Sequence, residues 1–161
     1  MPQNSSTRAQ RLARFFWILM LLFCLRVLGQ MLVAFGGVTF LPPMEAWYSG
    51  LIPYPVLLPL QLLIIGLLAK VCCDFTRGQG FFVRPRPAFR SGALYFGYAY
   101  LLAMILRYVI HMGLHPEARW LGGTIPIFFH WVLACFVIMF GCYHRAVSIK
   151  QGSVQSRVGL V

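Results

Sequence analysis

The sequence predicts an all-α protein, a polytopic integral membrane bundle of four transmembrane helices with both termini in the cytoplasm. Three observations carry that prediction. First, of 161 residues 60% are hydrophobic and only 11% charged, with a mean hydropathy of +0.75, whereas a soluble domain carries about a quarter charged residues. Second, four apolar runs, at about 15–36, 52–72, 91–112 and 125–143, each reach the roughly 20 residues needed to cross a hydrocarbon core of about 30 Å. Third, the basic residues fall on alternate sides of those runs. Arg8, Arg11 and Arg14 precede the first, Arg77, Arg84 and Arg86 join the second to the third, and Arg145, Lys150 and Arg157 follow the fourth, while the other two connections hold only Arg119. That bias sets the termini and the middle connection inside. It assigns 1–14 and 145–161 to cytoplasmic tails and 15–144 to the membrane domain, in a bacterial inner membrane.

A net charge of +11 would point to nucleic acid in a soluble protein. Here insertion topology already accounts for it, and membrane lipids, a membrane protein partner or a second copy of the chain are the expected partners, with no nucleic acid. The five cysteines, Cys24, Cys72, Cys73, Cys135 and Cys142, lie in the runs or at their cytoplasmic ends. No outward disulfide framework is available.

Taken in order, residues 1–10 are polar, without periodicity, and read as a mobile tail. The first run resembles a signal peptide in its arginines followed by FFWILMLLFCL, but Arg26 interrupts it and no small-x-small cleavage site follows. The first outward connection is rich in Gly and Pro, with Trp47, Tyr48 and Tyr54 at the level of an interfacial aromatic belt. The second run begins with Pro53, Pro55 and Pro59. From Pro59 to Cys73 a helix would extend only about 22 Å, so its outer turns are expected to be kinked or unwound around a cavity. The middle connection, DFTRGQGFFVRPRPAFR, is basic, aromatic and proline-bearing. It reads as a tether against anionic headgroups or a docking segment, and its Gly78 and Gly80 do not complete a phosphate loop. In the turn LGGTIP, Thr124 is the expected N-cap of the fourth helix and the following proline falls in its first turn. The C-terminal tail is polar and expected to fray.

Polar side chains inside the runs are the candidates for function, because a charge at mid-membrane costs about 2.5 to 3.5 kcal/mol even on the lenient scale. Arg26 and Gln30 share a face of span one, and Gln61 lies at a similar depth in span two. Tyr100, Met104, Arg107 and His111 form a single stripe on span three, and His130 in span four matches the depth of Arg107. All fall in the outer half, which predicts a polar pocket there. With no carboxylate inside any span, the two arginines require counter-charge from Glu45, Glu117 or an external anion.

The chemistry expected is binding of a lipid, quinone or other anionic or carbonyl-bearing amphiphile by a non-enzymatic module with no cofactor. A purely structural network around the arginines competes with it. A small oligomeric transporter, or a membrane-embedded redox or transfer enzyme, are the alternatives. His111 and His130 form the one histidine pair near enough in depth for haem b, and His111 with His115 lacks carboxylate or thiolate company for a metal. Ser49, Thr39 and Thr124 have no base-and-orienter set for nucleophilic catalysis. An acid-base pair of His130 or His111 with Glu45 is conceivable.

Overall fold

The structure, a computed structural model, describes residues 3–47, 52–114 and 124–158. All regular secondary structure in them is helical: α1 (Gln3–Gly36), the short α2 (Met44–Trp47), α3 (Tyr54–Arg77), α4 (Pro87–Leu114) and α5 (Thr124–Val158). Four of these are long and apolar enough to cross a membrane, over Thr7–Gly36, Tyr54–Arg77, Phe89–Leu114 and Ile125–Ile149. One end of the bundle carries the α1–α3 and α4–α5 connections and is called here the hairpin end. The other, the tail end, carries both termini and the α3–α4 connection.

Close backbone approaches join α3 to α1, α1 to α5 and α5 to α4, and α2 touches both α1 and α5. The backbone of α3 comes near neither α4 nor α5, so the four long helices form a bent row with α1 and α5 at its middle. Aromatic rings bridge the wider gap. Phe16 of α1 stacks edge-on against Phe75 of α3 at 4.7 Å and tilts against Phe136 of α5 at 4.6 Å, and Phe75 meets Tyr143 at 4.8 Å. On the α4–α5 seam glycine sets the spacing instead. A Cβ on Gly97 would lie 2.7 Å from the Ile138 side chain, and one on Gly141 would lie 2.8 Å from that of Leu94. Lipid tails are as apolar as leucine, so helices in a bilayer gain from such close van der Waals contact rather than from hiding apolar surface. The outward faces are themselves apolar, with Leu21, Leu63, Phe35 and Leu102 all at least 66% exposed.

The helices run past the expected spans. Segments 3–14 and 145–158, read from sequence as tails, are helical, because the α1 extension has an apolar face of its own. Ala9 and Ala13 are 0% and 4% exposed and belong to the same core cluster as Val147. The outer turns of the second span, expected to be kinked or unwound, are not unwound. Pro53 takes the N-cap, where its carbonyl accepts the N–H groups of Val56 and Leu57 at 3.0 Å, and Pro55 lies in the first turn, where no donor is required. Pro59 then sits inside the continuous helix. The length that seemed missing is supplied at the other end, where α3 continues to Arg77 and reaches about 36 Å in all. Thr124 is the first residue of α5, so the residue before the helix lies outside the described residues.

Gly97→Val should therefore wedge α4 from α5 and destabilise the bundle by about 1–3 kcal/mol, read as a lowered thermal midpoint in detergent. Gly92→Ala, with open space around its Cβ position, should leave the midpoint unchanged. Equal midpoints for the two variants would contradict this packing.

Candidate functional site

The hairpin end holds three of the expected polar side chains in one network. Arg26 and Gln30, one turn apart on α1, both donate to the backbone carbonyl of Trp47, at 3.1 and 3.0 Å. Gln61 of α3 donates to the Gln30 side-chain oxygen at 2.8 Å. All three are at least 94% buried, with relative exposures of 6%, 0% and 2%. The connection after α1 makes this possible by turning inward. Gly37 takes φ 57, a left-handed conformation that glycine adopts without strain, and α2 then brings Trp47 against α1. The Trp47 indole donates to the Pro42 carbonyl at 2.9 Å and lies on Gly29, where a Cβ would come within 2.6 Å of the ring. Trp47 is thus 8% exposed and packed within the bundle, not placed in the aromatic belt that its sequence neighbourhood suggested.

The other three expected residues lie along α4 and α5. His130 Nδ1 is hydrogen-bonded to the Tyr100 hydroxyl across the α4–α5 seam, with the two rings nearly perpendicular. Arg107 and His111 are half-buried and line a groove of about 420 Å³ along the last turns of α4, together with Ala103, Leu106, Ile110 and Leu114. The two groups of three meet at Arg26, whose guanidinium stands 5.7 Å over the ring of Phe129, the neighbour of His130. Both Arg26 and Arg107 lie within electrostatic reach of Tyr100 and His130. All six residues thus occupy the hairpin half, but in separate arrangements: a closed network on α1 and α3, and on the other side a hydrogen-bonded pair across the α4–α5 seam and an open groove on α4. Of the expected counter-charges, Glu117 and the Glu45 side chain lie outside the described residues.

For Arg26 the described partners are a neutral carbonyl and an aromatic face, and its Nε and the Gln61 side-chain oxygen have no hydrogen-bond partner among the described residues. Buried polar atoms of this kind are costly unless something satisfies them. The arrangement offers donors and positive charge, which suits carbonyl and anionic groups.

The asymmetry expected from sequence, with buried polar groups in the outer half alone, does not hold. At the tail end Asp74 of α3 is 2% exposed and His144 of α5 is 0% exposed. Sequence reasoning missed them because it ended the second and fourth spans just short of them. Trp47 was missed because its contribution is a main-chain carbonyl, which no residue type announces; the one hint was Gly29 on the buried face beside Gln30.

Comparisons of the chain with protein-family models, curated proteins and solved structures find no match.

A double-mutant cycle with Gln30→Leu and Gln61→Leu tests the network. The coupling energy in detergent unfolding should be positive and about 0.6 to 1.7 kcal/mol, the range of side-chain hydrogen bonds between membrane helices. Strict additivity of the two variants would show that the pair does not interact.

Proposed function

We propose that this chain is an integral membrane protein of a bacterial inner membrane, with the tail end on the cytoplasmic side, and that it acts as a non-enzymatic module holding an anionic or carbonyl-bearing amphiphile. The observation that supports this reading best is the α4 groove. Four apolar side chains line it, while Arg107 and His111 present positive charge and hydrogen-bonding nitrogen to the same space. An acyl or isoprenoid chain suits the apolar wall, and a phosphate, carboxylate or quinone oxygen suits the arginine, whose planar fork bonds such oxygens in pairs. In a bilayer an arginine at this position gains from an anion that follows it into the low-dielectric region. Arg26 and Gln30 hold the Trp47 carbonyl, and Gln61 holds Gln30, which supports the α2 segment against which α5 rests.

The test is mass spectrometry of amphiphiles extracted from protein purified in mild detergent, with the bulk membrane extract as reference. Wild type should retain an anionic or quinone species enriched over bulk. Arg107→Met should lower that enrichment at least tenfold, about 1.4 kcal/mol, while its unfolding midpoint stays within a few degrees of wild type. Wild type carrying only the bulk lipid mixture, or Arg107→Met retaining the same species, would refute the reading.

A further inference from the structure

We infer that the α3–α4 connection is a preformed seat for the phosphate headgroup of an anionic phospholipid. This rests on the reading that the four helices cross a membrane, and it concerns the end of the bundle opposite the α4 groove. A basic segment of this composition needs no fixed shape to lie on a charged surface, yet here it is fastened at several points. Asp74 accepts the N–H of Phe82 at 3.2 Å. The strap winds around that carboxylate through Gly80 at φ 130, where a Cβ would collide with the Asp74 side chain. His144 Nε2 donates to the Phe82 carbonyl at 3.1 Å and the Tyr143 hydroxyl donates to the Val83 carbonyl at 3.2 Å. The fastenings come from α3 and α5, so the strap lies across the opening in the row of helices that α3 and α4 leave.

The strap presents Arg84 and Arg86 on its exposed side, with exposed Arg77 and Arg90 on the flanking helix ends. Among the described residues no acidic side chain is left to neutralise them. The chain has three acids, of which Glu45 and Glu117 fall in the other two connections, and Asp74 is buried and already paired with Lys70 and the strap. Arg86 is oriented without being neutralised: its guanidinium carbon stands 3.8 Å over the Phe81 ring and 5.9 Å from that of Phe89. Pro85 and Pro87 on either side of it narrow the backbone it can adopt. Guanidinium forks match phosphate oxygens, and a lipid headgroup brings phosphate to the level where apolar helices end. Continuity favours lipid over an acidic protein. Arg77 and Arg90 end helices whose outward faces, at Leu63, Leu67, Tyr95 and Phe96, are 55–79% exposed and apolar, and Phe81 extends that apolar surface onto the strap at 46% exposure.

The test places the protein in nanodiscs that mix phosphatidylglycerol with phosphatidylcholine and reads the lipids retained by native mass spectrometry. Wild type should enrich phosphatidylglycerol. Arg84→Gln with Arg86→Gln should reduce the enrichment by roughly tenfold or more, from about fivefold per basic residue at the surface. Asp74→Ala and Gly80→Val, which loosen the strap and leave every arginine in place, should each reduce it about threefold or more. Unchanged enrichment in the double-arginine variant would overturn the seat, and full enrichment in both loosened variants would overturn its being preformed. Retention of an acidic protein without phosphatidylglycerol enrichment would also overturn it. Protein that stays aqueous without detergent would instead refute the membrane reading, a result distinguishable from embedded protein that shows no lipid preference.

Discussion

A single main-chain carbonyl, that of Trp47, takes hydrogen bonds from two buried side chains of α1, and the hairpin end is arranged to keep it there. The constraint behind this is severe. An arginine enclosed by apolar helices has no water to fall back on, and each polar atom left without a partner costs about 1–3 kcal/mol. The chain meets the demand by folding its own connection inward. Glycine at 37 allows the turn, glycine at 29 makes room for the indole, and Pro42 accepts the indole N–H. The contact of α2 with both α1 and α5 follows from that carbonyl being needed in the interior.

The tail end solves the converse problem. There the chain must bring a basic connection across the mouth between α3 and its distant neighbours, and it does so with a buried acid. Asp74 bonds to Lys70, which is 57% exposed, on one side and to the Phe82 amide of the strap on the other. Exposed ion pairs contribute little, so the Lys70 contact is the minor part. The burial of the carboxylate under a glycine-bearing loop, with Tyr143 and His144 holding the next two carbonyls, is what shapes the strap. Both ends therefore use the same device: main-chain groups of a connection are turned inward to satisfy polar side chains on long helices.

How far this was legible in the sequence differs by kind of feature. The four long apolar helices were readable because length and composition alone are decisive in a lipid solvent. The helix ends were not, because nothing in hydropathy distinguishes a polar tail from a helix that packs on alanines, as at Ala9 and Ala13. The unwinding expected at the start of the second span failed for a related reason: it assumed that the helix ends at Cys73, and α3 goes on to Arg77. Arg26, Gln30 and Gln61 were recognisable as a group from their depth. The Tyr100, Arg107 and His111 stripe was recognisable from its spacing. Their division into two arrangements was not, since it depends on where Trp47 lies, and a tryptophan in a Gly- and Pro-rich connection between apolar helices has the composition of an interfacial anchor.

The most direct test of the account is where that tryptophan sits. In a variant with Trp17, Trp120 and Trp131 replaced by phenylalanine, the fluorescence of Trp47 can be measured in bilayers of lipids brominated at successive acyl depths. The account predicts weak quenching at every depth and a blue-shifted emission, because the indole is enclosed by α1, α2 and its own connection. Strong quenching that peaks near the headgroup level would place Trp47 against lipid, and would remove the carbonyl on which Arg26 and Gln30 are proposed to depend.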